Sequence, residues 1–295
     1  MSPLHTRRSV VAKAALVPLA LALPATAAPS APAASRRPRT AAAFADLERR
    51  FDARVGLHAI DTATGRTVSH RTGERFAFCS TSKALASALL LRDADLDHVV
   101  RYTAADLVTY SPITEQHVDT GMTIRALCDA ALRYSDNTAH NLVLGQLGGP
   151  AGFTRGLRRR LGDRVTRSDR FEPALNSAVP GEVLDTTTPE AIATSLGRCV
   201  LGRVLPCDRR AILRDLMLRN TTGDGQIRGG VPSTWEVADK TGSGSYASSN
   251  DIAVLWPPRR RPIVLAVLTS RPRVDDVRDI ALIAEATEVA VGALR

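Results

Sequence analysis

Stretches of β pattern stand at both ends of this chain with a long helical block between them, and that order leaves few folds open. Residues 55–60 and 67–70 read as two strands around the Thr64-Gly65 turn. After Pro232 come three apolar strands, 235–240, 251–256 and 263–269, the last two joined by the charged turn 257–262. A two-stranded hairpin is not stable alone in water, so the terminal pieces must meet. Residues 41–54 carry Phe44, Leu47 and Phe51 on one helical face, and residues 279–294 close the chain as an amphipathic helix. The expectation is an α+β fold in which terminal helices flank a five-stranded antiparallel sheet made by residues 41–75 and 220–295. An all-helical domain, residues 76–219, is inserted between its halves, with a site in the cleft between the two.

The inserted block opens on Cys79-Ser80-Thr81-Ser82-Lys83, followed at once by an all-apolar run through Leu91. A run apolar on every side predicts a helix buried on every side. Ser80 and Lys83 fall one turn apart on one helical face, and the helix N-terminus favours negative charge near the serine. An isolated S-x-x-K is also a common capping sequence, so the rest of the chain has to decide. Lysine occurs only at Lys13, Lys83 and Lys240; arginine supplies every other basic side chain. Lysine, unlike arginine, can give up its proton when buried. The one long break in the helical block, residues 166–185, contains Pro173 and Pro180 and has no periodicity, and a structureless connection of that length is usually functional.

Four short motifs follow in order: Ser80-Thr81-Ser82-Lys83, Ser135-Asp136-Asn137, Glu172-Pro173-Ala174-Leu175-Asn176 and Lys240-Thr241-Gly242. In this order they resemble the signatures of the class A serine β-lactamases. The resemblance runs through residues 43–293 and includes Tyr110-Ser111-Pro112 and Asn220-Thr221-Thr222-Gly223-Asp224. It implies hydrolysis of the β-lactam amide of penicillin- or cephalosporin-type antibiotics, with antibiotic resistance as the outcome. Ser80 would be the nucleophile, Lys83 or Glu172 the base that activates it, and Glu172 the base for deacylation. Ser135 would relay a proton to the leaving nitrogen. Asn137 would bind the substrate's side-chain amide and Asn176 would help hold the hydrolytic water. Lys240 and Thr241 would meet the substrate carboxylate, with Ser135 and Ser243 nearby, the Ser80 and Ser243 amides would form the oxyanion site, and Tyr110 would form one cleft wall. Positions that often carry a carboxylate-supporting arginine hold Gln226 and Ser249 here, which leaves Arg278 as the compensating arginine or as a surface partner of Asp275 or Asp279. The resemblance also implies that Arg170 and Asp185 tie the ends of the 166–185 loop, that Asn141 bonds its backbone, and that Glu172-Pro173 is cis.

The N-terminus is set apart from the fold. Arg7-Arg8 within Thr6-Arg7-Arg8-Ser9-Val10-Val11, an apolar stretch over 14–23 and Ala25-Thr26-Ala27-Ala28 read as a twin-arginine-type signal, residues 1–28, followed by a flexible linker, 29–40. Export to the periplasm or medium, with release from the membrane, is the expectation. Six positive charges fall at Arg7, Arg8, Lys13, Arg36, Arg37 and Arg39, so the net +9 of the chain shrinks to about +3 downstream, which argues against a nucleic-acid partner. The expected partner is a small-molecule β-lactam, and the expected state a monomer. Four cysteines in an exported chain suit disulfides; Cys199 and Cys207 are spaced to close a short loop, a pairing that sequence leaves open, whereas Cys79 and Cys128 read as buried small hydrophobes. Gly244 offers no partner for Cys79. No cluster of His and Cys suggests a metal, and no cofactor is expected.

Two other functions fit parts of the pattern. A D-alanyl-D-alanine peptidase or penicillin-binding protein shares the serine, lysine and K-T-G logic, but has nothing equivalent to Glu172 with Asn176 to activate a deacylating water. A non-catalytic β-lactam receptor would need a membrane segment and a signalling domain, neither of which the sequence offers.

Overall fold

The computed structural model describes residues 33–295. Its strands are β1 (Arg54–Asp61), β2 (Thr67–His70), β3 (Phe76–Ala77), β4 (Val99–Val100), β5 (Met122–Thr123), β6 (Thr186–Thr187), β7 (Glu236–Ser243), β8 (Ser249–Trp256) and β9 (Ile263–Ser270). The helices are α1 (Ala33–Phe51), α2 (Ser82–Asp93), α3 (Ile124–Arg133), α4 (Asn137–Gln146), α5 (Gly149–Gly156), α6 (Pro189–Val200), α7 (Cys207–Leu218) and α8 (Ala281–Leu294).

The terminal pieces meet as the unstable hairpin requires. β1 pairs antiparallel with both β2 and β9, and the five-stranded order is β2-β1-β9-β8-β7, antiparallel throughout. Gly65, at φ 71°, closes the first turn in a conformation glycine adopts freely. β8 and β9 carry consecutive apolar residues, Ile252–Trp256 and Ile263–Leu268, because helices cover both faces of the sheet. On β9, Ile263, Leu265 and Val267 pack with Phe44, Leu47, Leu282 and Ile283 of α1 and α8, while Val264, Ala266 and Leu268 face the core shared with α2 and α6. That leaves β7 as an edge strand beside the helical block.

α2 is the hub of that block. Every residue from Ser82 to Leu91 is buried, including Lys83. α3, α4, α6 and α7 pack around it, so the start of α2 is held at the boundary between the helices and the edge of the sheet. Each fully buried leucine in this hub contributes about 1.5–3 kcal/mol.

Three expectations need correction. Residues 33–40, read as part of a flexible linker, continue α1: Ala33, Ala34, Ala41, Ala42 and Ala43 are strong helix formers, and together they outweigh the break at Pro38. The same helix stops at Phe51, not residue 54, because Asp52 turns the chain at φ 45° to start β1. The last helix likewise begins at Ala281 rather than 279. The signal-like segment 1–28 and residues 29–32 lie outside the described residues. All four cysteines are free thiols: Cys199 faces the helical core, whereas Cys207 is exposed at the start of α7, so the short loop is not bridged.

Candidate active site

A tight turn presents Ser80. Cys79–Thr81 forms a single 3-10 turn that runs into α2, with Cys79 in the left-handed region at φ 49°. The Phe78 carbonyl accepts from the Thr81 N–H at 3.2 Å and from Thr81 Oγ1 at 2.6 Å, and the Cys79 carbonyl accepts from Ser82 Oγ at 3.0 Å. Across from it runs β7. A Cβ on Gly242 would sit 3.0 Å from the Phe78 oxygen and 3.1 Å from the Ser80 nitrogen, so a side chain there would press on the turn's backbone and push it back by a few tenths of an ångström. That approach is the physical content of the glycine in Lys240-Thr241-Gly242.

Lys83 joins the motifs. Its Nζ lies 2.8 Å from Ser80 Oγ, 2.9 Å from the Ser135 carbonyl, 2.7 Å from Asn137 Oδ1 and 3.0 Å from Glu172 Oε1. Neither side chain of the Lys83–Glu172 pair reaches solvent. A buried ion pair repays its desolvation only when further hydrogen bonds satisfy both ions, and here they do for the ammonium. Burial depresses the Lys83 pKa below 10.5; the nearby Glu172 carboxylate opposes that shift without cancelling it.

The second motif depends on a residue whose role was not read from the sequence. Asp136 is fully buried and caps α4 by accepting from the Ala139 N–H at 2.8 Å. The same carboxylate accepts from the amides of Ile113 and Thr114 at 3.0 and 2.9 Å. It therefore fastens the Tyr110 loop to α4, and the Asn137 N–H completes the link by donating to the Tyr110 carbonyl at 2.9 Å. Ser135, at φ 59°, turns into the cleft between α3 and this cap. Tyr110, at φ 65° and exposed, forms the outer wall.

Glu172 is held from three directions. Asn141 brackets its backbone, accepting from the Glu172 N–H at 2.8 Å and donating to its carbonyl at 3.0 Å. Asn176 Nδ2 donates to Glu172 Oε2. At the neck of the loop, buried Asp185 accepts from the Asp169 N–H at 2.7 Å, the Arg170 N–H at 3.0 Å and Arg170 Nε at 2.6 Å. The Glu172–Pro173 bond is cis. Two short ladders that sequence did not reveal add to this framework. β3 pairs with β6, and the Phe78 N–H donates to the Asp185 carbonyl at 3.1 Å, so the loop's end is tied directly to the segment before Ser80. β4 pairs with β5 ahead of α3.

The resulting cleft has a volume of about 390 Å³. Ser80, Ser135, Asn137 and Asn176 line it on the helical side, and Thr241, Gly242 and Ser243 on the strand side, with Tyr110 and Arg278 at its margins. Arg278, exposed in the loop before α8, lines the cleft. Gln226 also lines the cleft, but Ser249 is buried beneath it, bonded to Thr269. Thr222, quoted in a motif but assigned no part, lines the cleft too and bonds Thr241 Oγ1 at 2.6 Å. Lys240 is fully buried behind this wall, and desolvation together with the nearby Lys83 charge lowers its pKa to about 7, against the opposing carboxylates of Asp239 and Asp251. Cys79 Sγ fills the space beside Gly244. Among the described residues no group of three or more His, Cys, Asp or Glu side chains could hold a metal ion, and no helix is long and apolar enough to cross a membrane.

A serine on the turn that opens a buried helix, a lysine beside it and a carboxylate on a strapped loop are the arrangement a serine acyl-transfer enzyme needs, and sequence comparison agrees. The sequence model of the β-lactamase enzyme family matches residues 39–294, and the chain belongs to that family. Within it the chain is a class A serine β-lactamase. It is 54% identical over 255 residues to a β-lactamase of Bacillus amyloliquefaciens, covering 85% of this chain and 83% of that one. It is 52% identical over 256 residues to β-lactamase AST-1 of Nocardia asteroides, covering 85% and 82%. The crystal structure of a class A β-lactamase from Clostridium kluyveri DSM 555 superposes with a TM-score of 0.85 at 42% identity, over 87% of this chain and 98% of that one. Hydrolysis of β-lactams, with the antibiotic resistance it confers, is accordingly the activity, and a peptidase is not favoured.

Proposed function

We propose that this β-lactamase works through an acyl-enzyme on Ser80. The observation that carries the reading is the placement of Lys83 Nζ within 3.0 Å of Ser80 Oγ and Glu172 Oε1 together. Glu172 takes a proton from the ammonium, and the freed amine takes one from Ser80 as its oxygen attacks the β-lactam carbonyl. The oxyanion is met by the Ser80 and Ser243 amides, each donor of this kind lowering the barrier by about 2.7–4 kcal/mol. Ser135, 3.3 Å from Lys83 Nζ, carries the proton on to the leaving nitrogen. Glu172 returns its proton to the Lys83 amine 3.0 Å away and, as a carboxylate again, activates the water that Asn176 helps to hold. The remaining N–H of the Asn137 amide, whose other donates to the Thr109 carbonyl at 2.9 Å, is available to the substrate's side-chain amide. Rapid quench with a chromogenic cephalosporin followed by peptide mapping tests the assignment: the adduct mass belongs on the peptide bearing Ser80, and an adduct elsewhere refutes it.

Lys240, Thr241, Ser243 and Arg278 form the carboxylate-binding end in this proposal. Its pH dependence follows from the depressed lysine. Below about pH 7 Lys240 is charged and attracts the substrate carboxylate; as pH rises through that value the charge is lost. KM is expected to rise and kcat/KM to fall on the alkaline side, with a limb well below the 10.5 of an ordinary lysine. Lys240→Arg should move that limb upward. A limb unmoved by this substitution counts against Lys240 as its source.

Arg170, Asp185 and Asn141 hold Glu172 and touch no substrate in this scheme. Asp185→Ala leaves the Asp169 and Arg170 amides without their acceptor, a cost of about 1–3 kcal/mol for each buried group. Steady-state turnover should fall about tenfold or more through slower deacylation, since a small misplacement of a catalytic group is enough to cost that much. Ser80 should still be acylated, and unchanged hydrolysis would refute the role. We also propose twin-arginine export of the folded protein with release as a monomer, and a division of the chain into 41–75 with 220–295 against 76–219.

A further inference from the structure

His140 is buried on α4 beside the site, and the reaction set out above gives it no task. Its Nε2 lies 3.3 Å from Ser82 Oγ. The Ser82 hydroxyl hydrogen is assigned to the Cys79 carbonyl, the shorter of its two contacts at 3.0 Å and an oxygen that can only accept. A hydroxyl has one hydrogen, so the contact with His140 must be donated by the ring, which fixes the neutral Nε2–H tautomer. Nδ1 has no partner among the described residues, so the ring's single hydrogen bond is the one to Ser82. The charges of Lys83 from α2 and Lys240 from β7, together with burial, disfavour a second proton on the ring.

The acceptor at the end of this chain is significant. The Cys79 carbonyl and the Ser80 N–H are the two ends of one planar trans peptide unit, so holding the oxygen fixes the direction of the N–H. Cys79 stands in the left-handed region at φ 49°, where an L-residue needs its surroundings to hold it. Donation into the carbonyl also polarises the peptide and strengthens its N–H as a donor, and a donor behind Ser82 reinforces the effect. An apolar side chain of similar size would fill the same space without burying a polar ring.

We propose that His140 and Ser82 form a hydrogen-bond relay that aims and polarises the Ser80 amide, making His140 a positioning residue for the oxyanion site. The inference rests on the reading of the Ser80 N–H as an oxyanion donor. Both acylation and deacylation pass through a tetrahedral oxyanion at that N–H, so the relay should affect both steps alike and the affinity for an oxyanion mimic with them, whereas a loop variant such as Asp185→Ala leaves the oxyanion donors in place.

The test compares His140→Leu, His140→Gln and Ser82→Ala with the parent in three measurements: the acylation and deacylation rate constants, inhibition by phenylboronic acid, and the midpoint of thermal unfolding. Phenylboronic acid forms a tetrahedral adduct on an active-site serine and so reports the oxyanion site directly. His140→Leu and Ser82→Ala are expected to lower both rate constants and the boronate affinity by about tenfold, a fraction of the 10²–10³ lost when an oxyanion donor is removed outright. His140→Gln, which keeps an N–H able to reach Ser82, should recover most of each loss. If His140→Leu does not fold, Ser82→Ala alone decides, since it removes only the hydroxyl that links ring to carbonyl. A lowered unfolding midpoint with unchanged boronate affinity and rate constants would make His140 a packing residue and overturn the proposal, as would a folded His140→Gln that recovers nothing. A parent enzyme not inhibited by phenylboronic acid, or inhibited equally after Ser80→Ala, overturns the oxyanion reading of Ser80 as well.

Discussion

Glu172→Ala should stop the enzyme halfway: Ser80 is acylated more slowly, because Lys83 loses its proton acceptor, and the acyl group is then left in place. Deacylation needs a base for water, and general-base catalysis of this kind contributes about 10²–10⁴-fold. A chromogenic cephalosporin should give a single burst close to one equivalent, and intact mass should show one adduct on the peptide bearing Ser80. The substitution also removes the carboxylate 3.0 Å from Lys83 Nζ in a pair closed to solvent. Breaking a buried pair from one side typically costs 3–5 kcal/mol. Here the cost is expected near the lower end, because the ammonium keeps Ser80 Oγ, the Ser135 carbonyl and Asn137 Oδ1 as acceptors. Continued rapid turnover with no adduct would assign deacylation to another group.

Ser80→Ala should abolish hydrolysis, by on the order of 10⁶-fold in kcat if it behaves as the loss of other activated serines does. Its structural cost should be small. Lys83 has three N–H donors, and after the hydroxyl is gone three acceptors remain at 2.7–3.0 Å: Asn137 Oδ1, the Ser135 carbonyl and Glu172 Oε1. No donor is orphaned, so stability should change by less than about 1 kcal/mol. A thermal midpoint close to the parent's, with no adduct detectable by mass, is the expected pair of results. Residual turnover within tenfold of the parent would mean that Ser80 is not the nucleophile.

What could be read from the sequence, and what could not, divides along physical lines. The sheet was legible because both of its faces are covered, which makes 251–256 and 263–269 nearly continuous apolar runs, and because an isolated hairpin at 55–70 needs partners. The buried helix after Ser80 was legible for a similar reason. β3 to β6 were not, since two-residue strands have no periodicity to detect. Asp136 is ordinary in sequence as the middle of a turn-like triplet; only the fold shows it capping α4 and fastening the Tyr110 loop at once. Arg278 was ambiguous because its neighbours Asp275 and Asp279 offered plausible partners, and only the fold shows that it lines the cleft. The opposite error occurred at residues 33–40, where proline and arginine suggested a loose linker although alanines on both sides favour helix. Cys199 and Cys207 are close in sequence, but one faces the core while the other starts a helix at the surface.

The central claim is that one serine is acylated and then released by a water that Glu172 activates. Its most direct test is to mix the protein with a large molar excess of a chromogenic cephalosporin and follow product release and enzyme mass over the same time course. The account predicts many turnovers per enzyme molecule, with the mass returning to that of the unmodified chain once substrate is consumed. A burst of about one equivalent followed by a persistent adduct on Ser80 would contradict it.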